Sequence, residues 1–366
     1  MVGYNLRPRQ RNGLVSKQED PPVLESNNTP AKPSKESKPT MGELNRKVQT
    51  IIAKSSWWDR YGVDWCIILL SVCALLPIAV LLLRSDDWGP FLIGLALLGL
   101  IHSMIKTKIS HLAAHGALCK SKGWNTIWQY LFIEFFGSFS AVSSMDIHLK
   151  VHHPYTNIVG LGDSAIWRVP FLPCFTYMFV APLLLPPLTP VVAMGNLIVD
   201  KKFVAAVKCL IVVTCGLVAN VWFIMWAGAM TCTKAIICIL VYRAPMEIPY
   251  IHVNIFQHIG LPMYSRENHP PRLQLMCNGA LNLTRAPIIN WFFGHSLVDC
   301  HVEHHLFPTL SDNMCAKVKP VVKEYILGHG LAYQEEDYWD RLKLFVKKYK
   351  ELMVNAPPIT EFIGIQ

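Results

Sequence analysis

Eight of the fourteen histidines in this 366-residue chain fall into three short clusters. They read His111-Leu-Ala-Ala-His115, His148-Leu-Lys-Val-His152-His153 and His301-Val-Glu-His304-His305. Imidazole is a neutral nitrogen donor, so the chemistry such clusters offer is metal binding. At four-residue helical spacing His111 and His115 share a face, as do His148 and His152, and His301 and His305. Eight imidazoles are too many for one tetrahedral zinc and suit a pair of ions. Iron, zinc and copper all accept imidazole, so spacing leaves the metal open. His102, His269 and His329 stand alone and read as packed or solvated side chains.

Three clusters so far apart need a scaffold that brings them together. The chain is 52% hydrophobic and 16% charged, with a mean hydropathy of +0.30. A soluble domain of this length carries more charge. Residues 65–83 contain no charged side chain, and residues 88–105 contain none apart from His102. Each stretch is long enough to cross a hydrocarbon core of ~30 Å as a helix. The net charge of +9 accompanies no nucleic-acid motif, and basic loops at an anionic membrane surface account for it. The eleven cysteines are scattered, several in apolar runs (Cys66, Cys73, Cys209, Cys215, Cys238), with no CxxC pair. They read as buried thiols rather than a disulfide framework or zinc–thiolate site.

Residues 1–45 are polar, lack the apolar core of a signal peptide, and are expected to form a disordered tail. Residues 1–63 hold eleven Lys/Arg against six Asp/Glu, whereas the turn Arg84-Ser-Asp-Asp87 is net negative. The positive-inside rule then puts the N-terminus in the cytosol and the turn in the lumen. All three clusters must meet on one side, so an even number of crossings separates the second from the third. Residues 124–142 are expected to be interfacial or re-entrant. The proline-rich stretch 169–199 is expected to lie in the cytosolic leaflet. The expected fold is an all-α integral membrane protein with four transmembrane helices in two hairpins: 65–84, 88–106, 205–229 and 232–254. A cytosolic histidine-rich cap completes a membrane domain over 46–330, followed by a cytosolic segment, 331–366. Arg243 and Glu247, four apart at membrane depth, are expected to pair or to line a cavity.

The clusters in their order, HxxxH, HxxxHH and HxxHH, resemble those of the integral-membrane fatty-acid desaturases and hydroxylases. The flanks add to the likeness: His153-Pro-Tyr-Thr-Asn157 with Gly162-Asp163 after the second, and Leu306-Phe307-Pro308 after the third. The resemblance covers about residues 60–330 and is nearest to the branch called fatty acid desaturase 6. It implies an oxidoreductase of lipid metabolism in the endoplasmic reticulum membrane, with two iron ions and O2 as co-substrate. It also implies an Asn254–His258 element, in which His258 is a ninth ligand and Asn254 lies near the metal. His295 resembles a histidine that precedes the third box in front-end desaturases and is a possible extra ligand; His252 also lies close by. Front-end enzymes begin that box with Gln where this chain has His301. The front-end HPGG haem motif and the GxGxxG fingerprint are both missing, so electrons are expected from a separate cytochrome b5 and its reductase.

Ligating histidines need their second nitrogen anchored, and Asp146, Asp163, Asp299 and Glu303 are the nearby carboxylates. Three readings stand beside the desaturase: a fatty-acyl or sphingolipid hydroxylase on the same scaffold, a zinc-dependent lipid hydrolase, and a non-catalytic lipid-binding relative. Acyl length, carrier and double-bond position are not legible.

Overall fold

The computed structural model describes residues 38–162 and 167–354. Five helices in it have the length and apolar composition to cross a membrane: Trp58–Leu82, Trp88–Ala114, Thr176–Val199, Phe203–Gly228 and Cys232–Phe256. The class is all-α and membrane-embedded, and the expected count of four spans is corrected to five candidates. The added one is the proline-rich stretch. Its prolines fall largely where a helix tolerates them, Pro182 and Pro186 in first turns, with Pro190 the one inside a regular helix. Both ends of this helix are tied near the histidine clusters. His252 Nε2 lies 3.1 Å from the Met178 carbonyl, and Lys202, just past Val199, pairs with Asp146 at 2.8 Å.

The spans pack through small residues. A Cβ on Gly99 would lie 2.6 Å from the Tyr242 carbonyl, and one on Gly216 would lie 1.9 Å from the Phe135 carbonyl. Glycine here lets backbones approach, the usual way apolar helices gain contact in lipid. Leu98, Ile224, Ala235 and Ile239 fill the space between helices, while Leu70, Leu81, Ile93, Val207 and Trp222 face outward. An exposed apolar belt of this kind suits lipid contact.

The last span is broken between Arg243 and Glu247. The break removes the helical register on which their pairing depended, and the pair does not form. Arg243 instead donates to the Ser138 hydroxyl at 3.3 Å, and Glu247 pairs with Lys106 of the second span. Residues 124–142 contribute no candidate span. They form helix Lys122–Gln129 and a π-helical turn Tyr130–Phe136 that packs on Phe203–Gly228.

The cap is built from both ends of the chain. Helix Met41–Lys54 is capped by Thr40 and begins inside the expected tail, burying Leu44 and Val48 against helix Asp312–Gly328. Strand Asn282–Thr284 pairs in parallel with Glu335–Asp337. Helix Tyr338–Lys347 packs on Glu247–Phe256 and sends buried Arg341 to the carbonyls of Phe256 and Ile259, at 2.7 and 2.8 Å.

Candidate metal centre

Each histidine box lies where helical geometry is short or irregular. His111 and His115 close the second span, just after a π-helical segment Met104–Ile109. His148 and His152 lie on a π-helical segment, Met145–His152, with His153 at its end. His301, His304 and His305 occupy the six-residue α-helix His301–Leu306. His258 follows helix Glu247–Phe256.

The nine expected ligands divide into two groups whose ring nitrogens converge. His111, His115, His148, His153 and His304 form one, and His152, His258, His301 and His305 form the other. The division corrects one pairing. Helical spacing puts His148 with His152, but a π-helix brings residues five apart onto one face. His148 therefore meets His153, Nε2 to Nε2 at 3.2 Å, and His152 turns to the second group.

The spacing within each group is that of ligands around an ion. His153 Nε2 is 3.2 Å from His115 Nε2, while His301 Nε2 is 2.9 Å from His258 and 3.1 Å from His305. Two nitrogens each about 2.1 Å from one ion, at angles of about 90–110°, lie about 3.0–3.4 Å apart. Unpaired atoms give the same answer. His111 Nε2 and both ring nitrogens of His304 are buried without a hydrogen-bond partner. Such atoms are costly unless something binds them. Burial, and after it the neighbouring imidazoles, hold His115, His153, His304 and His305 well below the ordinary histidine range. Burial lowers His258 to about 4. These rings are neutral at physiological pH, the form that ligates.

Carbonyls and hydroxyls anchor the outward nitrogens. His258 Nδ1 lies 2.8 Å from the Gly279 carbonyl, and His301 Nδ1 lies 3.1 Å from that of Ser296. The Thr156 hydroxyl donates to the His152 carbonyl, so its oxygen is left to accept from His305 Nδ1 at 3.1 Å. Asn157 Nδ2 reaches the His258 carbonyl at 3.2 Å. The sequence held a signal for these two residues, the Thr-Asn that follows His153, but no indication of their roles. Ser296 had no signal.

The carboxylates expected behind the ligands are occupied elsewhere. Asp146 pairs with Lys150 and Lys202, and Asp299 with His295 at 2.8 Å. Glu303 is buried and accepts from Asn282 at 3.1 Å and Tyr333 at 2.8 Å, fixing the third-box helix to the strand pair. Asp163 lies outside the described residues. His295 belongs to neither histidine group and stands with Asp299 and Cys300. Asn254 turns back to the Tyr250 carbonyl at 2.7 Å. His252 has both nitrogens engaged, by the Tyr338 hydroxyl at 2.8 Å and Met178 at 3.1 Å.

A family model described as fatty acid desaturase matches residues 86–337, a stretch that includes all nine histidines. The chain belongs to the fatty acid desaturase family. It is 47% identical over 327 residues to fatty acid desaturase 6 of Bos taurus, covering 89% of this chain and 95% of that one. With fatty acid desaturase 6 of Homo sapiens it shares 47% over 324 residues, 88% of this chain and 90% of that one. A shorter likeness, 35% over 118 residues, joins it to the fatty acid desaturase 2-like protein FADS2B of Mus musculus, covering 30% of this chain and 23% of that one. As a desaturase the chain is an oxidoreductase of acyl lipids.

Proposed function

We propose that the nine histidines hold two iron ions and that the chain introduces a double bond into a membrane-borne acyl chain. The observation that carries this reading is the division of nine neutral imidazoles, six buried and three half-buried, into groups of five and four whose ring nitrogens lie within 4.8 Å of one another, the nearest pairs 2.9–3.2 Å apart. No side-chain acid or base removes hydrogen from an unactivated methylene. An iron pair with O2 supplies that oxidising power when bound. In the overall reaction adjacent methylenes lose two hydrogens, and O2 takes these with two electrons and two protons to give two waters. The protein's part is to keep nine imidazoles neutral, fix the outward nitrogens through Gly279, Ser296 and Thr156, and exclude bulk water from the rings. The two electrons come from a separate cytochrome b5 and its reductase, which the basic cytosolic surface suits.

The setting we propose is the endoplasmic reticulum membrane, with both termini and the histidine cap cytosolic. Convergence of the boxes requires an even number of crossings between the second and third, so Thr176–Val199, tied at both ends near the histidines, would not cross. The test is product analysis: cells expressing the chain should gain an unsaturated acyl species that cells expressing His301→Ala do not. Purified protein from iron-replete medium should carry about two irons per chain, as two all-nitrogen sites would require. A single zinc with negligible iron would remove the oxidative mechanism.

A further inference from the structure

Asp312 lies on the helix after the third box, yet its carboxylate serves the first. Its Oδ1 accepts from the Ser296 backbone N–H at 2.9 Å and from the Ser296 hydroxyl. A hydroxyl that has given its proton to a carboxylate can only accept from its other neighbour. That neighbour is His111 Nδ1, at 3.3 Å. The His111 proton is thereby fixed on Nδ1, and Nε2, which has no hydrogen-bond partner, is left to ligate.

The carboxylate is itself held from behind. Lys108 Nζ lies 3.2 Å from Asp312 Oδ2 and 3.7 Å from Asp64 Oδ1. Lys108 is 2% exposed and Asp312 is fully buried. Room for the approach is made at Gly294, whose φ is +97° and where a Cβ would lie 2.1 Å from Asp312 Oδ2. Apolar side chains of similar volume often fill such a site with equal or greater stability. Stability alone therefore gives no reason for two carboxylates, a lysine and a glycine to converge behind one histidine.

We propose that Ser296, Asp312 and Lys108 are positioning residues for the five-histidine half of the centre. Asp312, held by Lys108, orients the Ser296 hydroxyl, and the hydroxyl fixes the tautomer and ring plane of His111. Among the described residues the outward nitrogens of the four-histidine half go to the Gly279 and Ser296 carbonyls and to the Thr156 hydroxyl, not to a hydroxyl held by a carboxylate. The two halves then differ in outer support as well as in ligand number. This inference rests on the metal reading above.

The test is iron release. Iron-loaded protein is challenged with an Fe(II) chelator, and the iron that remains is followed by Mössbauer spectroscopy. In Ser296→Ala one of the two irons should leave about 10–100-fold faster than in the parental protein, the usual consequence of losing an outer partner. The other should leave at the parental rate and keep its parental spectrum. Asp312→Asn combined with Lys108→Met keeps the net charge of the Asp64–Lys108–Asp312 set and should give the same selective loss in smaller degree. It also decides the matter if Ser296→Ala does not fold. Parental rates for both irons, or joint loss of both, overturn the positioning role. A parental protein that holds fewer than two irons overturns the metal reading, and this role with it.

Discussion

What a histidine does with its second nitrogen separates proposed ligand from structural residue in this chain. His252 spends both nitrogens on Tyr338 and Met178. His301 spends one on the Ser296 carbonyl and turns the other to His258 and His305. His252→Ala should therefore keep its full iron content and lose stability, by about 1–3 kcal/mol for the buried groups left unpaired. His301→Ala should weaken the four-histidine site selectively and lower the iron content toward half, because only three imidazoles remain to hold that ion. Metal analysis and thermal unfolding on the same preparations check both; iron loss in His252→Ala would sink the distinction. The nine converging histidines were legible because metal binding requires a particular residue type at a particular spacing. Their partition was not, because it depends on backbone geometry that imidazoles do not encode. The outer anchors were legible least of all. A carbonyl at Gly279 or a hydroxyl at Ser296 carries no compositional signal, and the conspicuous carboxylates Asp146, Asp299 and Glu303 serve other partners.

Elements were legible where lipid dictates composition. The charge-free runs at 65–83 and 88–105 coincide, to within a residue, with parts of the first two candidate spans. The proline-rich stretch was underestimated, since a count of prolines does not say that Pro182 and Pro186 stand in first turns. Arg243 and Glu247 failed to pair because the helix breaks between them, and each found a partner on another element. Close packing is the feature sequence reading passes over, and Gly216 is its sharpest case. A side chain there would collide with the Phe135 carbonyl, on the π-helical turn between the first two boxes. Gly216→Val should destabilise the protein by about 1–3 kcal/mol or more, the cost of overpacking a tight contact. Gly195→Val, where nothing lies within 4 Å of the added Cβ, should leave it near the parental value. Unfolding in one detergent measures both, and equal melting temperatures would show that the contact yields without cost.

At the scale of the whole molecule, packing ties both ends of the chain to the histidines. Helix Met41–Lys54 lies on Asp312–Gly328, whose Asp312 reaches Ser296, and Arg341 grips the carbonyls that flank His258. Residue 41, residue 347 and the nine histidines therefore share one side. The turn at 84–87 lies at the far end of the first two spans, where Arg84 donates to the Ala227 carbonyl at 2.9 Å, near the close of helix Phe203–Gly228. In the proposed orientation, argued from the basic tail and the acidic turn, the histidines face the cytosol. The native Asn282 sequon does not report on it. Asn282 is fully buried, with its amide on Glu303 and Tyr333, so the folded protein should carry no glycan there on either side. The other sequon, at Asn27, lies outside the described residues. An informative experiment puts a tag before Met41 and a sequon-bearing loop between Ser85 and Asp86. In sealed microsomes the tag should be cut by added protease and the loop should be glycosylated. A protected tag with an unglycosylated loop would invert the orientation. A tag and a loop accessible from the same side would mean that the first two spans do not form a hairpin with its turn in the lumen, and the sidedness of the whole cap would have to be drawn again.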